Sequence, residues 1–329
     1  MEHHLLGIHH VTAITSSAEK IYDFFTYVLG LRLVKKTINQ DDIHTYHLFF
    51  ADDKGSAGTD MTFFDFKGIQ KGMHGNNEIT RTSFRVPNDA AIDYFVKRFI
   101  HYKVNYQPVK EVFGKKVLEF EDFDGQLYAL YSDEKNVGVK SGTPWLKGPV
   151  PNEFSITGLG PIYLTVKNLE LMDYVLVDIL GMRKTGKESN LHLYEMGEGG
   201  NGGSVILVHN SLIIDGYQGY GTVHHVAFRV SDTNALKSWI TKLTSLKIPH
   251  SGYVDRFYFE SLYSRIYPQI LFEFATDGPG FIDDEESYEV LGEKLALPPR
   301  FRNHRDYVEK IVRPIDTVRS TKVFEKEYF

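Results

Sequence analysis

Hydrophobic and polar positions follow the same order four times along this chain. Runs such as ITRTSFRV (79–86) and VHHVAFRV (223–230) are typical of strands, and each precedes a segment with apolar residues three or four positions apart, as in an amphipathic helix. Further strand-like runs then complete each unit. The pattern predicts an α+β fold of four βαβββ modules, which begin near residues 7, 79, 158 and 222.

Two of the predicted helices end in a repeated motif, VLGLR at 28–32 and ILGMR at 179–183. We expect the first helix to begin at Ser16, because Glu19 follows three residues later as in a capping box. The second should begin at about Asn168. The glycine of each motif should end its helix, since glycine readily adopts the left-handed conformation.

Strands that run into an aspartate close the second and fourth modules, QLYALYSD at 126–133 and ILFEFATD at 270–277. The glycine-rich stretch GEGGNGGS at 197–204 has neither the following helix nor the Lys-Ser/Thr of a phosphate loop, so we interpret it as a hairpin turn. The resulting organisation is a first pair of modules at 1–135, a linker at 136–156, a second pair at 157–300, and a C-terminal tail with a surface helix at 301–329.

This order of modules resembles the vicinal oxygen chelate superfamily, which contains glyoxalase I, bleomycin-resistance proteins and type I extradiol dioxygenases. The resemblance extends over nearly the whole chain up to about residue 300. It implies that paired modules curl their mixed β-sheets around a metal-centred cavity.

Composition narrows the classes of function. The hydrophobic fraction of 42% and the charged fraction of 24% are ordinary for a globular protein, and the net charge is −6. The absence of a Lys/Arg run argues against a nucleic-acid partner. The absence of a long apolar stretch or signal-like segment argues against a membrane location and favours a cytoplasmic protein. A homo-oligomer is plausible for this fold.

The chain has no cysteine, so any metal must bind to histidine, aspartate or glutamate, and 14 histidines are present. Two His-His pairs lie in predicted opening strands. Alternation in a strand places His10 on one face with Thr12, and His225 on one face with Ala227. Those faces should line the cavity, which makes His10 and His225 the candidate ligands and places the other histidine of each pair on the opposite face.

Alignment of the modules adds a third candidate. A glutamate in an apolar strand is costly to bury unless it is paired or binds a metal. At each of three aligned positions, only one of the two modules compared carries a residue that could bind a metal. Glu273 aligns with Ala129, His225 with Arg81, and His10 with Pro161. Because one candidate comes from the first module and two from the fourth, those two modules must pair with each other.

His10, His225 and Glu273 together form a 2-His-1-carboxylate set, which is typical of non-haem Fe(II) oxygenases and leaves coordination positions open for substrate and O2. We therefore expect Fe(II), with Mn or Zn as the alternatives. Glyoxalase I and its relatives usually supply a fourth protein ligand. The closing strand of the first module, at 60–66, offers Thr62 and Phe63 there and no carboxylate in register, which favours the dioxygenase branch.

Further motifs resemble the hydroquinone-cleaving dioxygenases of this superfamily. They are HHVT near the start, YHLFFAD at 46–52, the second His-His pair, RFYFES at 256–261, and FE ahead of a GF pair. The resemblance implies that Arg256 and Tyr263 flank the substrate and O2, and that His9, Thr12 and His224 lie near the site. The alternatives for these residues are an ion pair of Arg256 with Asp255 or Glu260, and a core position for Tyr263.

The sequence thus predicts an Fe(II)-dependent ring-cleaving dioxygenase that uses O2 on a small aromatic diol of the hydroquinone type. Tyr263 would donate a hydrogen bond or act as acid or base, and Arg256 would stabilise negative charge or orient Tyr263. Two alternatives stay open: a glyoxalase-type isomerase or fosfomycin-type transferase that uses another metal, and a protein that binds a quinone-like ligand without turnover.

Overall fold

The strands and helices follow the predicted four-module order. The computed structural model describes residues 3–282 and 285–329; residues 1, 2, 283 and 284, which fall within the predicted ranges 1–135 and 157–300, lie outside the described residues. The first module contains β1 (Ile8–Ile14), α1 (Ala18–Asp23), β2 (Arg32–Ile38), β3 (Tyr46–Ala51) and β4 (Asp60–Phe64). The second contains β5 (Glu78–Val86), α2 (Asp89–Tyr102), β6 (Asn105–Tyr106), β7 (Lys110–Val112), β8 (Lys115–Glu121) and β9 (Leu127–Ser132).

The second half of the chain repeats this order. The third module contains β10 (Gly158–Val166), α3 (Leu169–Tyr174), β11 (Arg183–Glu188), β12 (Leu191–Glu195) and β13 (Ser204–His209). The fourth contains β14 (Thr222–Val230), α4 (Thr233–Ser245), β15 (Val254–Asp255), β16 (Glu260–Tyr267) and β17 (Ile270–Thr276). The predicted turn at 197–204 connects the antiparallel strands β12 and β13, as a hairpin connection should.

The first helix begins one residue later than predicted. Ser17 is its N-cap and accepts a hydrogen bond from the Lys20 amide, whereas the amide and hydroxyl of Ser16 both donate to Asp124. The second predicted helix has Asn168 as its N-cap, as expected. Both helices continue into a π-helical turn and are followed by a glycine with positive φ, at 74° for Gly30 and 73° for Gly181.

The modules pair across the two halves of the chain. An eight-stranded sheet has the order β15-β16-β17-β14-β1-β4-β3-β2, and a nine-stranded sheet has the order β11-β12-β13-β10-β5-β9-β8-β6, with β7 beside β8. The first module therefore pairs with the fourth and the second with the third, which confirms the pairing inferred from the candidate ligands. Since each sheet takes strands from both halves, the division at 136–156 into domains stays a prediction.

Apolar side chains fill both faces of the two curled sheets. The helices cover one face of each sheet and form the main hydrophobic core. The other face of the eight-stranded sheet carries a smaller buried cluster that includes Phe49, Tyr258, Phe259 and Phe281. This cluster closes one end of the space inside the curl, and the candidate site lies beside it.

The C-terminal tail packs more deeply than predicted. Two short helices, α5 (Pro299–Arg302) and α6 (Arg305–Ile311), follow the fourth module. Val308 and Val312 join the main core rather than lying on the surface, because their apolar side chains gain stability from burial. Within the described ranges, none of the helices has the length and apolar character needed to cross a membrane.

Candidate metal centre

Three side chains predicted to act together meet in the eight-stranded sheet. His10 lies on β1, His225 on β14 and Glu273 on β17, and these strands are neighbours. The Nε2 atoms of His10 and His225 are 3.2 Å apart, and Glu273 Oε2 lies 3.1 Å from the first and 2.9 Å from the second. All three residues are buried. The predicted group is therefore assembled, while its binding of a metal stays a prediction.

The donor set fits a shared divalent cation. Glu273 Oε2 is buried and makes no contact with hydrogen-bond geometry, despite the two nearby imidazoles. The other carboxylate oxygen, Oε1, accepts a hydrogen bond from Ser261 Oγ at 2.6 Å. A buried carboxylate oxygen without a partner is costly. Two imidazole nitrogens and one carboxylate oxygen around a single point are a common ligand set for divalent transition metals.

Electrostatics favour the protonation states that a metal requires. Burial raises the pKa of Glu273, but the contacts with His10 and His225 outweigh burial and hold that pKa well below its usual range. Burial lowers the pKa of His225, and Glu273 only partly opposes this. Near neutral pH the carboxylate is therefore ionised and the His225 ring is neutral, which are the forms that bind metals.

Each His-His pair lies at a β-bulge between β1 and β14. The pairing skips His9 on β1, because its neighbours Ile8 and His10 oppose two successive residues of β14. On β14 the pairing skips His224 in the same way. A bulge interrupts the alternation of side chains, so adjacent residues can approach the same site. The structure thus places His224 on the cavity wall, against the prediction from alternation, and His9 against the ring of His10 without lining the cavity. The roles that the resemblance implies for these two histidines stay predictions.

His9 fixes the ring of His10. The Nδ1 atoms of the two rings are 2.9 Å apart, and His9 Nε2 lies 3.0 Å from the carbonyl oxygen of Thr276. Because a carbonyl only accepts, His9 Nε2 carries the proton, and burial together with His10 lowers the pKa of His9 to about 3. The neutral His9 ring thus accepts from His10 Nδ1. This leaves the Nε2 lone pair of His10 for a metal.

His224 holds His225 in the corresponding way. Their Nδ1 atoms are 2.8 Å apart, and burial together with His225 lowers the pKa of His224 to about 3. When His225 Nε2 is the ligand atom, its Nδ1–H donates to His224 Nδ1. The N–H of His224 then lies at Nε2, and the ring lines the cavity. His224 can therefore donate a hydrogen bond to a ligand in the cavity.

Tyr263 and Arg256 form the next layer of the site. Tyr263 is the cross-strand partner of Glu273, and its hydroxyl accepts a hydrogen bond from Arg256 Nε at 3.0 Å. Burial and Glu273 raise the Tyr263 pKa, so the phenol keeps its proton and can donate it into the cavity. Arg256 pairs with Asp41 at 3.2 and 2.9 Å, rather than with Asp255 or Glu260. Its position therefore suits holding Tyr263.

Thr12, the cross-strand partner of His225, is linked by hydrogen bonds to a residue that sequence reasoning missed. The hydroxyl groups of Thr12 and Thr62 are 2.7 Å apart, and Thr62 Oγ1 lies 2.9 Å from His47 Nε2. Burial, followed by the nearby His10, keeps the pKa of His47 well below its usual range. The alternation of β3 could have revealed His47, because Tyr46, Leu48 and Phe50 pack in the main core while His47 faces the other way.

These side chains surround a cavity of about 420 Å³. Aromatic rings form much of its wall, and polar side chains line the rest. The aromatic lining consists of Phe49, Phe64, Phe66, Tyr258 and Phe259. A cavity of this size with apolar walls and a few polar groups suits one small aromatic ligand.

The nine-stranded sheet has no equivalent cluster among its described residues. Strand register confirms the predicted alignment of Ala129 with Glu273. Ala129 is paired with Ser83 in the nine-stranded sheet, and Glu273 is paired with Ala227 at the equivalent place in the eight-stranded sheet. Arg81, the counterpart of His225, forms an ion pair with Glu119 at 2.9 Å. Apolar side chains, including Val117, Ile206 and two tyrosines, fill the space.

Comparisons with known proteins agree with this geometry. A family model described as the Glyoxalase/Bleomycin resistance protein/Dioxygenase superfamily matches residues 7–130. The chain is 40% identical over 314 residues to MhqA of Bacillus subtilis, which is assigned as a ring-cleaving dioxygenase; the match covers 94% of this chain and 98% of MhqA. It is 30% identical to a chlorohydroquinone/hydroquinone 1,2-dioxygenase of Sphingobium indicum, over 91% of this chain and 94% of that protein.

A crystal structure of a Bacillus subtilis protein assigned as a dioxygenase superposes with a TM-score of 0.88 at 35% identity, over 96% of this chain and 99% of that one. The chain therefore belongs to the glyoxalase/bleomycin resistance protein/dioxygenase superfamily. Within it, the chain belongs with the ring-cleaving dioxygenases.

Proposed function

We propose that this chain is an Fe(II)-dependent dioxygenase that cleaves the ring of hydroquinone-type aromatic diols and adds both atoms of O2 beside one ring hydroxyl. The observation that carries the proposal is the convergence of His10, His225 and Glu273, whose ligand atoms lie within 4.8 Å of one another at one end of an aromatic-walled cavity. The relative from Sphingobium indicum, named for chlorohydroquinone and hydroquinone, supports the substrate class.

The choice of iron depends on the ligand set. Two histidines and one carboxylate with open positions are typical of Fe(II) sites in oxygenases, while Mn and Zn remain the alternatives for the test below. Bound there, the ion would lower the pKa of a substrate hydroxyl and supply the electron-transfer chemistry that O2 requires. The carboxylate and both imidazoles are held in place by Ser261, His9 and His224.

The surrounding side chains have roles in binding and proton transfer. Tyr263, protonated and held by Arg256, would donate a hydrogen bond to the substrate or to oxygen as negative charge develops. His224 would offer its Nε2–H to the cavity from the other side of His225. The aromatic walls would hold the flat ring and exclude water from it, which strengthens each of these polar interactions.

An isomerase or transferase of the same superfamily is the competing function. That class usually has a fourth protein ligand, and Thr62 on β4 takes the position where it would be expected. Because the Thr62 hydroxyl is already bonded to Thr12 and His47, it is a poor candidate for a metal ligand. This contact pattern supports the dioxygenase.

The proposal is tested by oxygen uptake. Protein loaded with Fe(II) without oxygen would receive methylhydroquinone, catechol or the methylglyoxal–glutathione adduct in an oxygen-electrode cell. We expect uptake with methylhydroquinone, matched by loss of the aromatic absorbance, and weaker or no uptake with catechol. Conversion of the glutathione adduct without oxygen uptake would instead establish the isomerase.

A matched pair of variants locates the activity. Glu273→Gln keeps the shape of the side chain but removes its charge, so we expect loss of bound iron and of oxygen uptake. Glu119→Gln changes a carboxylate on β8 of the other sheet and should retain both, because that carboxylate pairs with Arg81 and Lys110 outside the cavity. Full iron content in Glu273→Gln would contradict the ligand assignment.

A further inference from the structure

Two polar side chains in the cavity wall lack a partner for part of their hydrogen-bonding capacity. Thr37 on β2 is 1% exposed and lines the cavity, and its hydroxyl has no hydrogen-bond partner among the described residues. His47 also lines the cavity and uses Nε2 in its contact with Thr62. No contact of Nδ1 is found within the described part of the chain. An unpaired buried group such as the Thr37 hydroxyl costs stability, so a ligand that pairs with it gains affinity, and His47 Nδ1 is available to the same ligand.

The two side chains are neighbours. Thr37 and His47 are directly paired across β2 and β3, so their side chains leave the sheet side by side. The rings of Phe49 and Phe64 pack against His47, with centroids 4.0 and 4.4 Å away. Together with the contact to Thr62, these rings fix the His47 imidazole in one orientation. The pair is therefore a built polar site within an aromatic wall.

Its position is separate from the metal centre. In the sheet order, β3 lies two strands from β1, which at ~4.8 Å per strand is about 10 Å along the curled sheet. A benzene ring with one hydroxyl at the metal centre carries its 4-hydroxyl at the opposite end. The rings of Phe49 and Phe64, beside His47, would contact the faces of such a ring.

We propose that Thr37 and His47 form a subsite for the second hydroxyl of the substrate, so that the cavity selects 1,4-diols over phenols that lack this group. The inference rests on the proposed function, since it assigns the other hydroxyl to the metal centre. Either tautomer of His47 suits the role, because a hydroxyl both donates and accepts. A site built to pair with a substrate hydroxyl strongly rejects analogues without one.

The test measures binding rather than turnover. Metal-loaded protein, kept free of oxygen, would be titrated with hydroquinone and with 4-methylphenol, which lacks the second hydroxyl, and the two dissociation constants would be compared by calorimetry. For the unaltered protein we expect hydroquinone to bind at least about tenfold more tightly, the factor that corresponds to 1.4 kcal/mol. Equal affinity for the two ligands would overturn the subsite.

Variants then assign the preference to the two residues. Thr37→Val and His47→Phe should each reduce the preference for hydroquinone by about tenfold and leave the affinity for 4-methylphenol within about twofold. The matched controls are Thr82→Val and His192→Phe, which remove similarly buried and incompletely paired side chains from the other sheet and should keep the full preference. An unchanged preference in both cavity variants would overturn the proposal.

Two further measurements keep the outcomes distinct. If His47→Phe does not fold, His47→Asn and Thr37→Val carry the test, with metal content confirming an intact centre. Oxygen uptake is recorded in parallel. A protein that prefers hydroquinone but consumes no oxygen with any diol retains the subsite and loses the proposed function. A protein that consumes oxygen but binds both ligands equally loses the subsite alone.

Discussion

At the scale of single residues, the second histidine of each His-His pair has a physical role. An imidazole that binds a metal through Nε2 requires a partner at Nδ1 to fix its tautomer and its orientation. His9 and His224 provide that partner at 2.9 and 2.8 Å. Adjacent side chains of a regular strand point to opposite faces. The neighbouring histidine can act as this partner only because a bulge brings both side chains toward the same site.

Replacing His9 should therefore weaken metal binding without removing a ligand. In His9→Ala, His10 Nδ1 loses its acceptor and its ring is less firmly oriented, so we expect metal affinity to fall by about 10- to 100-fold. Competition with a chelator of known affinity measures this. His74→Ala, which changes a histidine bonded to Glu78 and Gly125 outside the cavity, should leave the affinity unchanged. Equal affinities in the two variants would remove His9 from this role.

Tyr263 permits a separation of metal binding from turnover. Its hydroxyl contacts Arg256 and lies beside the cluster without belonging to the ligand set. We expect Tyr263→Phe to keep its iron and to lose about 100-fold or more in kcat, the range for a positioned proton donor. Tyr267→Phe on the same strand removes a hydroxyl bonded to Asn77 and should retain kcat. Equal kcat values in the two variants would exclude Tyr263 from catalysis.

At the scale of elements, periodicity predicted most of the fold and misplaced the residues at irregular positions. The four modules, the closing strands and the alignment of Ala129 with Glu273 depend on repeated patterns and are confirmed by strand register. The side of His224 was mistaken because a bulge adds one residue to a strand without a sequence signal of its own. The depth of the C-terminal tail depends on distant partners, which local patterns do not specify.

The tail gives a prediction at this scale. Arg319 is 6% exposed, and its guanidinium donates to the carbonyl oxygens of Leu33 and Leu291, so it fastens the tail to the first module. In Arg319→Ala both buried carbonyls lose a partner, and we expect the free energy of unfolding to fall by about 2–4 kcal/mol. Urea denaturation measures this loss. As the control, Arg300→Ala on α5 should change the free energy of unfolding by less than about 0.5 kcal/mol. A change as small as this in Arg319→Ala would contradict the role of Arg319 in fastening the tail to the first module.

At the scale of the whole molecule, the two sheets share one architecture and differ in what fills them. The nine-stranded sheet fills its space with apolar side chains and an ion pair, whereas the eight-stranded sheet surrounds a cavity lined by four histidines. One sheet thus contributes a packed core and the other the candidate site. Because the chain crosses between the sheets, a change in the stability of the site is expected to affect the entire fold.

The buried histidines make the stability of the metal-free protein depend on pH. Burial lowers the pKa of His9 and of His224 to about 3 and holds that of His47 well below its usual range, whereas each has a pKa of about 6.5 when unfolded. At these three rings the unfolded chain therefore binds more protons than the folded chain below about pH 6.5, and their contribution to stability is lost as the pH falls. The buried carboxyls of Asp60 and Asp122, whose pKa values burial raises, contribute in the opposite sense.

We expect each of these histidines to lower the free energy of unfolding by on the order of 1 kcal/mol for each pH unit below 6.5. Urea denaturation of the metal-free protein at pH 7.5, 6.5 and 5.5 measures this loss. His224→Phe removes one of these rings, and because a phenylalanine stays neutral in both states, the variant should lose less stability than the unaltered protein over the same pH range. An equal pH dependence in the two proteins would contradict burial of His224 in its neutral form.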